Sequence, residues 1–583
     1  MSKYQDEPLL RSSRASDHSD ERIEEEDELL TGKHKLQPIN KRGRPFWVQV
    51  GLFTWATIAT ILFIVLAVLY QHQLSSASKA SDGWADSPKP KGKRNLVFMV
   101  SDGMGPTSLS LARSFEQVSK ALPFDHQLVL DEHLVGSSRT RSTSSLITDS
   151  AAGATAFACG RKSYNNAISV LPDHSACGTV LEAAKKAGYT TGLVVTTRIT
   201  DATPACFASH VHKRSDEDII AEQLIGEGHP LGRVVDLILG GGQCHFQPNT
   251  TEASCRKDDV DVISIAKESG WNYKDSRSDF DSLGSELNLP LLGLFAQKDI
   301  PYELDRSSES DEYPSLSEMA SKALRGLSAA TKDKDQGFFL MIEGSRIDHA
   351  GHGNDPIAQV HEVLEYDKTF AEVVDFLEKD AVDGILVGTS DHETGGLTAA
   401  RQLNTVYPEY AWYPDALMNA THSTFYLSEK LKEHKHMHPS VGQSPMENFI
   451  RSQILEPGLG IKDAAGWEMD KILASLPPKN ENGGHTDYVF ADMISRRAQI
   501  GWTTHGHSAV DVNVYASSPG AARALVGNHE NTEIGQFMRD YLEVDLDAVT
   551  GELAAKGEAM GKWKGEDVDD STKLGLNVYH DQY

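Results

Sequence analysis

A chain of 583 residues with 39% hydrophobic residues and 47 glycines has ordinary globular composition and enough length for one large core or two domains. Its formal net charge of −28 argues against nucleic-acid binding, because nothing would offset phosphate repulsion. Five cysteines are too few for a disulfide scaffold.

Residues 1–45 are polar and serine-rich and contain the acidic run Glu24-Glu25-Glu26-Asp27-Glu28, a composition that predicts a disordered tail. Leu29-Leu30 follows that run, with Glu25 four positions before Leu29, the pattern of acidic dileucine signals read by sorting adaptors. Residues 46–70 are the next element. No charge occurs from Trp47 to Tyr70, a length sufficient for a bilayer core of about 30 Å. Lys41, Arg42 and Arg44 flank its N-terminal side, so positive-inside predicts a single-pass anchor with the tail in the cytosol and the rest across the membrane. Residues 71–94 are rich in Ser, Pro, Lys and Gly and read as a stalk. The sequons at Asn249 and Asn419 would then face a glycosylating compartment.

The ectodomain opens with Asn95-Leu96-Val97-Phe98-Met99-Val100, a continuous apolar run fit for a buried strand. Similar runs follow at 192–197, 234–239, 338–342 and 385–389, with helical stretches such as 180–187 and 356–379 between them. This alternation predicts an α/β domain, residues 95–540, with a large, mostly parallel sheet covered by helices on both faces. Ligands in such folds bind at the carboxyl ends of the strands. Between about 400 and 500 the pattern loosens into an inserted subdomain, where His434, His436 and His438 read as a solvated loop. Residues 541–583 read as a loose acidic tail. Cys244 and Cys255 lie in a polar stretch suited to a bridge, whereas Cys159, Cys177 and Cys206 sit in apolar or helical settings and read as buried thiols.

Thr148-Asp149-Ser150 precedes a run of small helix formers, which places Ser150 in the first turn of a helix beside unpaired N–H groups that favour an anion. Metal-type ligands recur at strand ends: Asp102 after the first run, Glu343 with Asp348 and His352 after another, Asp391-His392 after a third, and His505 or His507 just before Val512. Imidazole with carboxylate suits zinc; carboxylate with hydroxyl suits magnesium.

Asp102-Gly103-Met104-Gly105, Thr148-Asp149-Ser150-Ala151, Thr200-Asp201-Ala202-Thr203-Pro204, Glu343-Gly344, Asp348-His349-Ala350-Gly351-His352, Asp391-His392-Glu393-Thr394-Gly395-Gly396 and Thr504-His505-Gly506 run in one order along the chain. Together they resemble the alkaline phosphatase family over about residues 95–540, and the tail and anchor resemble its fungal vacuolar branch. The resemblance implies two zinc ions and one magnesium ion per subunit. One zinc would be held by Asp348, His352 and His505, and the other by Asp102, Ser150, Asp391 and His392. Magnesium would take Asp102, Asp201, Thr203 and Glu343. Of the two nearby histidines, Thr-His-Gly favours His505 over His507. Ser150 would be the nucleophile, Arg214 the phosphate grip and Asp149 its orienting partner, while His349 stands near phosphate where the bacterial branch has lysine. The implied protein is a homodimeric, type II membrane-anchored phosphomonoesterase of broad specificity. It forms a phosphoserine intermediate, with its catalytic domain in the vacuole lumen. A related phosphodiesterase, sulfatase or phosphomutase is one competing reading, and a non-catalytic receptor ectodomain another. The receptor would tolerate loss of the ligand set, which is complete here.

Overall fold

The computed structural model describes residues 92–476 and 485–560, together with scattered positions between 50 and 60. The expectations for residues 1–45, most of 46–70, 71–91 and 561–583 lie outside the described residues. Among the described residues no helix is long and apolar enough to cross a membrane. The chain divides into two compact units, Met1–Ser81 and Asp82–Tyr583. In the first, the few described positions are helical; the second carries every element below.

Ten strands form the central sheet: β1 (Asn95–Val100), β2 (Leu134–Arg139), β3 (Thr190–Arg198), β4 (Leu237–Gly241), β5 (Asn272–Lys274), β6 (Leu291–Leu294), β7 (Phe338–Glu343), β8 (Gly384–Thr389), β9 (Val512–Ala516) and β10 (Gly527–Glu530). Their spatial order is β10-β2-β9-β8-β1-β7-β3-β4-β6-β5. All neighbours pair in parallel except β9, which runs antiparallel to both β2 and β8. The apolar run of β1 follows from its central place: Leu96, Phe98 and Val100 enter the core on one face, and Val97 and Met99 enter the core on the other. Because β8, β1, β7 and β3 are mutually parallel neighbours, their carboxyl ends share one edge of the sheet.

Four expectations need correction. The strand expected over 234–239 runs instead from Leu237 to Gly241. Asp236 just before it takes the Lys185 ammonium at 2.6 Å and the Thr191 N–H at 3.1 Å, a role suited to a strand end. His434 and His436 lie on the helix Thr424–Met437 rather than in a loop, and the His434 ring stacks on Phe449 at 3.5 Å. The stretch 541–560 is no loose tail: the helix Leu546–Met560 buries Leu546, Val549 and Leu553 in the main core. Cys159 and Cys177 are not thiols but a disulfide, as are Cys244 and Cys255; Cys206 is a buried free thiol. Among the described residues, the stretches 415–476 and 485–498 are chiefly helical and contribute to an apolar cluster that also includes Leu111, Phe115, Ile357 and Val360.

Candidate active site

The shared strand edge gathers the expected ligands. Asp102 follows β1, Glu343 ends β7, Asp391 follows β8, and Asp201 lies three residues beyond β3. Ser150 opens the helix Ser150–Cys159, every residue of which is buried. Asp149 caps that helix, its carboxylate accepting from the Ala152 N–H at 2.9 Å. The helix is made of small residues because it is wedged against the strand ends. A Cβ on Gly153 would come within 2.9 Å of the Asp391 side chain. Likewise Gly103, at φ +75°, lies where a Cβ would come within 2.6 Å of the Asp348 backbone.

The Ser150 Oγ lies 3.1 Å from His392 Nε2. Asp102, Asp391 and His392 present ligand atoms within 4.8 Å of one another, and so do Asp348, His392 and His507. The structure brings His507, not the favoured His505, into this group. His507 Nε2 is 3.2 Å from His352 Nε2 and 3.7 Å from Asp348 Oδ1. His505 instead stacks on Tyr488 at 3.9 Å, with its Nδ1 2.7 Å from the His352 carbonyl oxygen. The physical reason is a two-stranded ribbon pairing His507-Ser508 with Glu393-Thr394, which turns His507 over His392 and His505 outward.

Glu343 and Asp201 lie close enough to Asp102 for their charges to act on it, and Thr203 lies close to Glu343. Buried Asp102 Oδ1 and Thr203 Oγ1 have no hydrogen-bond partner. Burial, joined by the charges of Asp391, Asp348, Glu343 and Asp201, pushes the Asp102 carboxyl well above the usual range. Burial and then Asp201 push Glu343 up to about 8, against the Ser345 hydroxyl, which donates to it at 2.5 Å. Burial would also raise Asp348, but His352, His507 and His392 hold it well below the usual range. Buried carboxylates that repel one another and carry orphaned acceptor atoms fit cations: imidazole and carboxylate for zinc, carboxylate and hydroxyl for magnesium.

Arg214 reaches this centre from a segment fixed by the Arg214 N–H to the Asn166 carbonyl. Its guanidinium is 2.7 Å from Asp201 Oδ1 and 3.9 Å from Asp149 Oδ2. His349 is half-buried nearby, its Nδ1 accepting from Arg346 Nε at 3.3 Å. Sequence reasoning missed Arg198, Asp299 and Thr394. The Thr394 hydroxyl donates to Asp348 and lies 3.2 Å from His392 Nδ1, so it orients both side chains. Its place in Asp391-His392-Glu393-Thr394 was the available signal, whereas Asp299 carried none. Asn249 and Asn419 are exposed.

A family model for alkaline phosphatase matches residues 93–544. The chain belongs to the alkaline phosphatase family. It is 53% identical over 510 residues to the repressible alkaline phosphatase of Saccharomyces cerevisiae, covering 84% of this chain and 88% of that one. Identity to the alkaline phosphatase of Schizosaccharomyces pombe is 48% over 527 residues, covering 90% and 94%. Among solved structures, the cold-active alkaline phosphatase of a Shewanella species superposes with a TM-score of 0.62 at 30% identity, over 77% of this chain and 99% of that one. The Thermus thermophilus alkaline phosphatase gives 0.65 at 25%, over 82% and 98%. A variant of the alkaline phosphatase from the Antarctic bacterium TAB5, with a TM-score of 0.52 at 26% identity over 79% and 100%, was solved with Mg bound in its M3 site. The protein is therefore an alkaline phosphatase, a metal-dependent phosphoric monoester hydrolase.

Proposed function

We propose that this alkaline phosphatase acts on phosphomonoesters of broad specificity through a phosphoserine at Ser150, using two zinc ions and one magnesium ion. Ser150 carries the reading. Its hydroxyl stands at the start of a buried helix, 3.1 Å from His392 Nε2, beside Asp102, Asp391 and the Asp348–His507 pair.

Asp102, Asp391, His392 and Ser150 would hold one zinc; Asp348, His352 and His507 the other; Asp102, Asp201, Thr203 and Glu343 the magnesium. When bound, such ions lower the pKa of a coordinated hydroxyl and neutralise charge on phosphoryl oxygens. The chain's own groups do the rest. Arg214 presents a guanidinium fork to two phosphoryl oxygens, which requires it to release Asp201. The free N–H groups at the start of the Ser150 helix face the same anion. The Ser150 Oγ–P bond forms as the ester P–O bond breaks, and the leaving alcohol departs with a proton. Water then attacks phosphorus, returning the Ser150 hydroxyl and releasing inorganic phosphate. Because these groups address only the phosphoryl group, the alcohol is left unread, which supports broad specificity.

Stopping turnover of an aryl phosphate with acid should leave phosphate on the peptide containing Ser150. Label on another residue, or none despite a product burst, overturns the assignment.

The location is part of the same reading: a type II anchor at 46–70, the catalytic unit in the vacuole lumen, glycans on Asn249 and Asn419, and a homodimer. It is supported by the uncharged span, its basic flank and the dileucine pair. Leu29→Ala with Leu30→Ala should relocate the protein at unchanged specific activity; normal vacuolar delivery removes the sorting role.

A further inference from the structure

Three carboxylates from separate parts of the chain meet one guanidinium beside the magnesium-type group. Arg198, the last residue of β3, sends Nη1 to Asp299 Oδ1 at 2.8 Å, Nη2 to Asp201 Oδ2 at 3.1 Å and Nε to Glu217 Oε2 at 3.0 Å. Asp299 and Asp201 also share the Thr197 hydroxyl, which lies 2.8 Å from the first and 3.1 Å from the second. The Arg198 N–H donates to Asp299 Oδ1 at 3.0 Å. The loop carrying Asp299 is stitched to the sheet on both sides of it. The Ile300 N–H donates to the Thr196 carbonyl at 2.9 Å, and the Gly242 N–H to the Lys298 carbonyl at 2.8 Å. Burial would raise the Asp299 carboxyl, yet Arg198 and then His349 hold it well below the usual range.

The role of Asp201 makes this arrangement more than a strut. Its Oδ1 accepts from the Ala202 N–H and from Arg214 Nη2, both at 2.7 Å, while Oδ2 faces Arg198 and Thr197. An uncompensated Arg198 would withdraw Asp201 from any cation and add positive charge against it. Asp299 and Glu217 supply two negative charges that divide the guanidinium among three acceptors and hold its plane in one orientation.

We propose that Asp299, acting through Arg198, is a positioning residue that determines how much of the Asp201 carboxylate is left to bind magnesium. The inference rests on the reading of Asp201 as a magnesium ligand. Asp299 touches neither ion nor substrate in this scheme; it governs a charge shared by Arg198 and Asp201.

The test is calorimetric titration of magnesium into the full-length, zinc-loaded, magnesium-free protein, with thermal melting as the control for folding. Asp299→Asn should weaken magnesium binding at least about fivefold, because Arg198 then leans on Asp201. Arg198→Gln should change it in the opposite direction, since a competing positive charge is removed. In the Arg198→Gln background the effect of Asp299→Asn should shrink to less than about twofold. A purely structural role would weaken binding in all three proteins. Additive effects, or magnesium affinity within twofold of the parent in Asp299→Asn, overturn the proposal. Should Asp299→Asn fail to fold, Glu217→Gln carries the same expectation on the same guanidinium. Asp201→Ala separates the two levels. Unchanged magnesium affinity there sinks the ligand assignment itself, whereas lost affinity there with none lost in Asp299→Asn sinks only this inference.

Discussion

The ring of His507 lies stacked on the ring of His392, 3.5 Å between centroids and 19° from parallel. That contact ties the two ends of the candidate zinc centre together, because His392 faces Ser150 and His507 faces His352 and Asp348. Removing His507 should therefore cost both a ligand and the seating of its neighbour. His507→Ala is expected to lose about one zinc per subunit and at least about a hundredfold in kcat/KM, and His505→Ala less than about tenfold. Metal analysis beside steady-state kinetics checks the pair; the reverse ranking would restore His505 as the ligand.

A second prediction concerns His349. Burial lowers its pKa, and Nδ1 accepts from Arg346, so the ring is neutral in alkaline solution. A lysine, with a pKa of about 10.4, would be cationic at pH 9 and would attract product phosphate and Asp201. His349→Lys should tighten phosphate inhibition several-fold at pH 9 and lower turnover. An unchanged inhibition constant makes His349 a bystander.

Away from the centre, Glu182 sits buried between two histidines, 2.8 Å from His210 Nε2 and 3.0 Å from His229 Nε2. His210 Nδ1 also faces the Ser169 carbonyl at 3.0 Å, so both of its ring nitrogens meet acceptors and the ring is an imidazolium. Burial would lower His210, but Glu182 raises it; the pair's contribution is therefore full below the ordinary histidine value and is lost as pH rises through the raised one. Burial would raise Glu182, but the histidines depress it, so its contribution is lost only as pH falls below the usual carboxylate range. Burial lowers His229, which adds a loss of stability as pH falls below the ordinary histidine value. Glu182→Gln should destabilise by about 3–5 kcal/mol near neutrality, with the deficit narrowing at alkaline pH. Melting curves from pH 5 to 10 test this; a deficit constant across the range means that no charged pair is present.

The disulfide Cys159–Cys177 closes a loop with a sequence separation of 18 at the far end of the Ser150 helix. Replacing both cysteines with serine should cost about 3 kcal/mol of stability by loop-closure entropy. Specific activity at 25 °C should change less than about threefold, because Asp149 and the strand ends seat the other end. A larger loss of activity without a fall in Tm would show that the bridge acts on the nucleophile.

The parallel strands were legible in the sequence because β1, β3, β7 and β8 are covered on both faces and so read as unbroken apolar runs. Their terminal carboxylates were legible because such groups are costly so near a core unless a cation or a partner meets them. Strands β2 (LVGSSR) and β10 (GNHE) gave no such signal, since they lie towards a polar edge where hydropathy does not alternate. The helix Leu546–Met560 was hidden by its acidic, glycine-containing surroundings, although Leu546, Val549 and Leu553 recur at helical spacing. His507 against His505 was a question of which way a ribbon turns. That is settled by pairing with Glu393 and Thr394 more than a hundred residues earlier, which no local pattern encodes. Asp299 reads locally as a loop residue; its meaning comes from Arg198, a hundred positions away.

Asp102, Glu343 and Asp391 stand at the ends of three adjacent strands, β1 between β7 and β8. Hydrogen-bonded strands are held about 4.8 Å apart by their backbone ladder. The backbone therefore acts as a ruler, and the spacing of these three carboxylates is graduated in peptide hydrogen bonds. Loops around the rim are free to lengthen, shorten or change their charge without recalibrating that scale. A mutation that slips the register of β7 or β8 by one residue would instead misplace a carboxylate without replacing it.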